Sequence, residues 1–261
     1  MPAPPPAPDA PRSLLWVGLE AVSLSAVSFA VLAALALRLV EMLAAMVVTG
    51  VARVALARLA GLAHAGRDTA DHFIAMTRRF SALATPVFVL MAALATPLVQ
   101  LVGDHAWADA ATLVSWYALA QALRSPTHLS AALFAAHARP QLNVVIVLAE
   151  LLGLALLVAV MRDPLAWVWR LALVLPLCFW CMKQVAGIAT IPLLKSVAEP
   201  FIASLGMWLL LRGILPALQD AALPLPAALV TAGAIGVAAY TGLLALTWRG
   251  VWTEMRAFAR L

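Results

Sequence analysis

Apolar runs long enough to cross a lipid bilayer follow one another along almost the whole chain. Hydrophobic residues make up 65% of the 261 residues and charged residues only 11%, a balance that keeps no soluble domain of this size in solution. A bilayer core needs ~20 apolar residues per helix. Eight stretches meet this length: roughly 14–37, 38–60, 82–102, 108–136, 141–161, 165–190, 197–217 and 225–248. The sequence therefore predicts an all-α fold, a polytopic membrane bundle of about eight transmembrane helices.

The lysines and arginines predict how these helices are oriented. The connection after the second helix carries four arginines, and the next connection carries Asp104 and Asp109. The same alternation of basic with acidic or neutral connections continues to the end of the chain. Because positive residues favour the cytoplasmic side of a membrane, both termini are expected in the cytoplasm.

Four polar side chains share one face of the fourth predicted helix. Tyr117, Gln121, Arg124 and His128 recur at spacings of four, three and four, so at ~100° per residue they fall within a narrow sector. An arginine inside a membrane is a candidate functional residue by default. This stripe is therefore expected either to line a cavity or to pair with an acid on a neighbouring helix.

Glu150, on the fifth predicted helix and one helical face from Asn143, is the predicted partner of Arg124. A structural ion pair and an ion-coupling carboxylate give the same sequence pattern, so both interpretations stay open. Arg170 and Arg212 lie close to predicted membrane interfaces, where an arginine can extend its guanidinium to water. Neither of these two is predicted to take part in a site.

Further charged residues lie inside the first two predicted helices. Arg38 and Glu41 open the second helix one turn apart, a spacing at which they can pair with each other and do nothing more. Arg53 follows on a somewhat different face. Glu20, in the first helix, has no local partner beyond Ser23, so it must either meet an arginine from another helix or face water.

Enzyme and nucleic-acid motifs are missing from the sequence. It contains no P-loop, no G-x-S-x-G and no H-E-x-x-H, and no basic stripe with interleaved aromatic residues. Cys178 and Cys181 form a C-x-x-C within an apolar helix and are interpreted as small buried residues. The sequence thus predicts no enzyme activity, no metal, no cofactor and no nucleic-acid partner.

Three stretches of the chain resemble a family of transporters. The first is Ala-Leu-Arg-Leu-Val-Glu at 36–41, which leads through Gly50 to Ala-Leu-Ala-Arg-Leu at 55–59. The second is Pro86 with Ala-Thr-Pro-Leu-Val at 95–99, followed by Gly103 and Trp107, and the third is Leu-Phe-Ala-Ala-His-Ala-Arg-Pro at 133–140. They resemble the C-terminal lobe of oligosaccharide-lipid flippases of the Wzx and lipid II type. These flippases belong to the multidrug/oligosaccharidyl-lipid/polysaccharide exporter superfamily.

The resemblance implies a domain division. Residues 1–12 would be a disordered Pro/Ala-rich tail. Residues 13–191 would form one six-helix MATE-like lobe, in which 64–80 is an amphipathic helix on the cytoplasmic surface with Arg78 and Arg79 facing anionic headgroups. Residues 192–261 would add two extra helices and a basic cytoplasmic tail.

The resemblance also implies a function and a set of site residues. Arg38 would face a cationic cavity that receives the diphosphate of a polyprenyl-linked glycan, which the protein would flip across the bacterial inner membrane for cell-surface polysaccharide biosynthesis. The expected substrate-binding residues are Arg38, Glu41, Arg53, Tyr117, Gln121, Arg124 and His128. The expected residues of an ion-coupling site or ion pair are Glu20, Glu150 and Asn143.

Such transporters have two pseudosymmetric lobes, whereas this chain supplies only the second. It would therefore act with a second copy of itself, as half of a split transporter with a separate N-terminal lobe, or be a truncated product. Three alternatives stay open: a cation-coupled multidrug exporter of the same superfamily using Glu150 and Glu20; a membrane-integral glycosyltransferase or ligase using Asp104, His105 and Asp109; and a non-functional fragment.

Overall fold

The described part of the chain is entirely helical. The computed structural model describes residues 38, 40–102, 108–161, 166–220 and 224–248, and these ranges contain helices and turns without a strand. The α-helices found there are α1 Val40–His64, α2 Ala70–Ala93, α3 Ala95–Val102, α4 Ala108–Leu123, α5 Ser130–Ala136, α6 Gln141–Met161, α7 Ala166–Ala186, α8 Thr190–Asp220 and α9 Leu225–Thr247.

Five of these helices are long and apolar enough to cross a membrane. They are α1, α2, α7, α8 and α9, and α4 and α6 contain shorter apolar stretches. The predicted all-α fold is therefore confirmed for the described residues, and these five helices agree with a multi-pass membrane protein. The count of about eight stays a prediction, because the first predicted helix, 14–37, lies outside the described residues, as does the predicted tail 1–12.

Three short turns meet at one end of the bundle. The turn after α1 contacts the turn after α5 through Thr69 Oγ1 and His137 Nε2, 3.2 Å apart. Each turn contains one residue in the left-handed region, and these are Gly66, Ala138 and Gly187, with φ between 55° and 66°. Such a residue ends a helix by turning the chain away from its axis.

The helix α2 lies at the centre of the packing. It packs against α4, α8 and α9, and Phe73, Phe80 and Phe88 on it are fully buried. The predicted surface helix at 64–80 is therefore wrong: 64–69 end α1 and form the turn, and 70–80 are the first half of α2. Phe73 and Phe80 of this segment fill the protein core, because α2 packs against α8 and α9.

A proline inside α2 is compensated by a side chain from α9. Pro86 has no backbone N–H, so the carbonyl of Ala82, four residues earlier, loses its helical donor. The hydroxyl of Tyr240 donates to that carbonyl oxygen at 2.7 Å. The kink-prone point of α2 is thereby tied to α9.

Candidate functional site

The fourth predicted helix is interrupted where the polar stripe runs. The helix α4 ends at Leu123, a 3-10 turn follows at Ser125–Thr127, and α5 begins at Ser130. Pro126 lies in the first turn of that short segment; it lacks an N–H, and its ring clashes with the carbonyl four residues before it. The expected continuous helix over 108–136 is therefore wrong, and the regular spacing of the stripe ends near Arg124.

Beyond the break, His128 contacts the end of α4 rather than continuing the stripe. His128 Nε2 lies 3.2 Å from the backbone carbonyl oxygen of Gln121, at the end of α4 where carbonyls lose their helical donors. Its ring packs against Phe80 and Phe88 of α2, with centroids 5.7 and 5.9 Å apart. These contacts give His128 a structural role, and its predicted contact with substrate stays a prediction.

Glu150 on α6 pairs with two arginines from different helices. Arg124 places Nη1 at 3.4 Å from Oε1 and Nη2 at 3.5 Å from Oε2 of that carboxylate. Arg170, on α7, brings its Nε to 3.5 Å from the same Oε1. The predicted contact between Arg124 and Glu150 is confirmed, whereas the interpretation of Arg170 as a residue extending to the interface is wrong.

Arg170 is buried because it sits between two polar partners. Besides Glu150, its Nη2 donates to the hydroxyl of Tyr117 at 3.1 Å, and its side chain is only 10% exposed. Tyr117 and Arg170 are 53 residues apart in the chain, on helices that no sequence spacing relates. Apart from the charge of Arg170 within an apolar stretch, the sequence carries no pattern that indicates its burial among these partners.

The contacts continue to α1. The Tyr117 hydroxyl donates to Oε1 of Glu41 at 3.5 Å, and Oε2 of Glu41 lies 3.9 Å from Nη1 of Arg38. The six residues Arg38, Glu41, Tyr117, Arg170, Glu150 and Arg124, here called the Arg–Glu network, thus connect α1, α4, α7 and α6. The structure brings four predicted substrate-binding residues and one predicted coupling residue into a single set of contacts.

Arginines outnumber carboxylates among the six residues of the Arg–Glu network. It contains three guanidiniums and two carboxylates, and Arg124 and Arg170 both contact Glu150. Arg124 is the most accessible of these three side chains, at 27% exposed. A site built around guanidiniums suits an anion, because phosphate and carboxylate groups bind guanidinium through two parallel hydrogen bonds.

Two cavities adjoin the network. A small one of about 30 Å³ is lined by Arg124, Thr127, Ser130 and Asn143 together with apolar side chains, and it has room for about one water molecule. A larger apolar groove of about 350 Å³ runs between α4 and α7. Its lining residues are Trp116, Leu119, Ala120, Leu123, Trp169, Leu171, Ala172, Leu175 and Phe201.

Arg53 and Asn143 are predicted site residues that are not among the six of the network. Arg53, on α1, is exposed and has no hydrogen-bond or ion-pair partner among the residues that the structure describes. Glu20 lies outside the described residues, as do Asp104 and His105 of the loop considered for glycosyltransferase chemistry. Asn143 lines the small cavity beside Arg124, and its predicted coupling role stays a prediction.

The function of this arrangement cannot be transferred from a matched protein. Across the described ranges, no three His, Cys, Asp or Glu side chains lie close enough together to hold a metal ion. Comparison of the chain with protein-family models, with curated proteins and with solved structures finds no match. The function therefore has to be argued from the Arg–Glu network and the grooves around it.

Proposed function

We propose that the chain is a membrane transport protein of the flippase type. In this proposal it moves a polyprenyl-diphosphate-linked oligosaccharide across the bacterial inner membrane for cell-surface polysaccharide biosynthesis. The supporting observation is that Arg124 and Arg170 both contact the carboxylate of Glu150, among helices apolar enough to cross a membrane. The chain would act as one six-helix MATE-like lobe plus two extra helices, and a second copy or a separate lobe would complete the substrate path.

The charge of the Arg–Glu network supports an anionic cargo. A diphosphate leaving the cytoplasmic leaflet loses its hydration, and guanidiniums in a poorly hydrated site can replace that hydration with charge-assisted hydrogen bonds. A cationic drug would instead approach guanidiniums, and like charges repel strongly where the dielectric constant is low. This favours the flippase proposal over the multidrug exporter.

In the proposed mechanism Glu150 occupies the place of the substrate anion in the empty protein. An arriving diphosphate competes with the carboxylate for Arg124, the more exposed of the two arginines. When the diphosphate leaves, Glu150 pairs with both guanidiniums again, so neither arginine remains unpaired within the membrane. In this proposal the carboxylate of Glu150 allows the diphosphate to leave while the guanidinium of Arg124 keeps a charged partner.

The apolar groove between α4 and α7 suits the other part of such a substrate. Trp116 and Trp169, which line it, are the chain neighbours of Tyr117 and Arg170. Its volume of about 350 Å³ falls within the usual range for small-ligand sites. A prenyl chain lying in this groove would have its diphosphate close to the helices that carry the Arg–Glu network.

Binding of undecaprenyl diphosphate to the purified protein in detergent tests this proposal. The ligand should raise the midpoint of thermal unfolding, and Arg124→Ala should weaken binding about tenfold or more, because a hydrogen-bonded charged contact contributes about 1.5–3 kcal/mol. The variant should remain folded, since Glu150 keeps its contact with Arg170.

Arg212→Ala is the matched control. Arg212 is exposed on α8 and lies over the ring of Trp208, 4.7 Å from its centroid, so removing it deletes the same charge away from the network. Equal binding by the wild type, Arg124→Ala and Arg212→Ala would contradict the proposal. Equal binding of undecaprenyl diphosphate and phosphatidylglycerol would mean that the network recognises no diphosphate.

A further inference from the structure

A groove with charged walls lies between α2 and α8, near the residues at which both helices begin. Its volume is about 380 Å³, and its charged lining residues are Asp71 and Arg78 from α2 and Lys195 and Glu199 from α8. The two charged residues of α2 are seven positions apart and those of α8 are four, so each pair lies on one face of its helix. The groove therefore presents carboxylates and cations together to whatever occupies it.

An ion pair joins the two walls of this groove at the end away from the helix starts. Arg78, eight residues after the start of α2, contacts Glu199, nine residues after the start of α8. The guanidinium of Arg78 also lies over the ring of Trp248, 3.9 Å from its centroid. Because the two paired residues are at corresponding positions, α2 and α8 run side by side in the same direction, from the end where the three turns meet.

Asp71 and Lys195 lie between this ion pair and the helix starts. Asp71 is in the first turn of α2, and Lys195 is five residues after the start of α8. Both are exposed, and in the described part of the chain neither side chain has a hydrogen-bond or ion-pair partner. Asp71 is seven residues from the ion pair and Lys195 is four, which places Asp71 roughly 4 to 5 Å nearer the helix starts. Along the groove a carboxylate therefore comes first, and an ammonium group lies beneath it.

These positions are at the level of lipid headgroups. Both α2 and α8 are long and apolar enough to cross a membrane, and the ends of such helices lie where the hydrocarbon core meets the headgroups. Farther from the helix starts the surface beside the groove is apolar. Ile202, three residues past Glu199 on the same face of α8, is 59% exposed. A lipid along the groove can therefore place its headgroup between the charged walls and an acyl chain against α8.

We infer that this groove binds phosphatidylethanolamine, a phospholipid whose headgroup carries a primary ammonium beyond its phosphate. The lipid ammonium donates hydrogen bonds to the carboxylate of Asp71, and the lipid phosphate accepts them from the ammonium of Lys195, which lies deeper. Both contacts are charge-assisted hydrogen bonds. The charges of the two side chains along the groove are opposite to those of this headgroup, read in order from water to the acyl chains. The inference does not depend on what the protein transports.

Other occupants match these walls less well. An anionic lipid such as phosphatidylglycerol brings a phosphate to Lys195 but no cation to Asp71, and its negative charge lies beside two carboxylates, which repel it. Phosphatidylcholine has the same order of charges as phosphatidylethanolamine, but its quaternary ammonium has no N–H to donate to Asp71. A soluble phosphate ester lacks the acyl chain that contacts Ile202.

Titration of the purified full chain with lipids in detergent tests the inference. Phosphatidylethanolamine should raise the midpoint of thermal unfolding at a lower concentration than phosphatidylcholine or phosphatidylglycerol. Asp71→Asn should weaken the binding of phosphatidylethanolamine about two- to fivefold, the size of an exposed ion pair, and leave that of phosphatidylcholine unchanged. The matched control is Asp220→Asn, at the exposed far end of α8, which should change neither.

Three results of this titration would overturn the inference. The first is equal binding of the three lipids, and the second is an equal effect of Asp71→Asn and Asp220→Asn. The third is stabilisation by glycerophosphoethanolamine at the same concentrations as phosphatidylethanolamine, because this soluble ester has the same headgroup and no acyl chains.

Native mass spectrometry of lipid-bound protein gives a second test, because it counts bound lipids directly. Asp71→Lys places a cation where the lipid ammonium lies, so this variant should retain more phosphatidylglycerol than phosphatidylethanolamine. Lys195→Gln should lose both phosphatidylethanolamine and phosphatidylcholine, since both reach it through their phosphate. Lys183→Gln, an exposed lysine of α7 outside the groove, should lose neither. Wild-type lipid preference in Asp71→Lys, or equal losses for the two lysine variants, would refute the assignment.

Discussion

The Glu150 carboxylate is contacted by the guanidiniums of Arg124 and Arg170. The exposed fraction of the side chain is 13% for Glu150, 27% for Arg124 and 10% for Arg170. Removing one partner of a buried ion pair leaves an uncompensated charge, which costs more than the pair contributes. The three substitutions are therefore not equivalent. Loss of one arginine leaves a complete pair, whereas loss of the glutamate removes the carboxylate that both guanidiniums contact.

Glu150→Ala should consequently destabilise the protein by about 3 kcal/mol, whereas Arg124→Ala should cost about 1 kcal/mol, the size of one ordinary contact. Thermal unfolding of the two purified variants in the same detergent measures the difference. A lower unfolding midpoint for Arg124→Ala than for Glu150→Ala would contradict the shared carboxylate.

Among the helices, backbone carbonyls near prolines are contacted by side chains. Pro86 stays inside α2 because Tyr240 on α9 donates to the carbonyl of Ala82. Pro126 instead accompanies the end of α4, where the His128 ring contacts the carbonyl of Gln121. The same residue type thus lies within a continuous helix in one place and at a break in the other: Tyr240 replaces the donor that Pro86 removes, whereas Pro126 lies between the end of α4 and the start of α5.

The α2 case predicts a coupling between two distant residues. Tyr240→Phe leaves the Ala82 carbonyl without its donor and should cost about 1 to 2 kcal/mol. In a Pro86→Ala background the restored N–H of residue 86 can reach that carbonyl, so Tyr240→Phe should then cost much less. A double-mutant cycle by thermal unfolding measures the coupling, and additive effects would show that the hydroxyl is not replacing the missing helical bond.

Over the bundle as a whole, basic residues collect at the end where the three turns meet. Arg67 and Arg139 lie in two of these turns, and Lys183 and Lys195 flank the third. Arg78 and Glu199 form an ion pair at the same end, while Asp220 ends α8 at the other. The positive-inside rule predicts that the basic end faces the cytoplasm.

Thiol labelling tests this orientation. In a background of Cys178→Ala and Cys181→Ala, single substitutions Asp68→Cys, Arg139→Cys and Ala189→Cys should react with a membrane-impermeant maleimide only after the cells are permeabilised. All three positions are exposed at the basic end. Asp220→Cys should react in intact cells, and the reverse pattern would invert the orientation.

Some contacts and buried residues could be predicted from the sequence, and others could not. The contact of Arg124 with Glu150 could be predicted because a short connection places consecutive helices side by side. An unpaired charge inside a membrane is costly, so two opposite charges on such helices are expected to pair. The burial of Cys178 and Cys181 followed from their apolar surroundings and is confirmed. The role of Arg170 and the burial of Phe73 and Phe80 could not be predicted, since they depend on distant helices that cover these side chains.

Hydropathy and length are local properties, and they were enough to identify an all-α membrane protein and most of its helix positions, since a bilayer imposes the same requirement on every span. The partners of each charged residue depend instead on how the helices rotate and shift against one another. Tyr117 meets Arg170 across 53 residues of chain, and Pro126 ends a helix that hydropathy alone extends to residue 136. Packing decided these features, because a side chain is paired or exposed according to what the other helices bring to it.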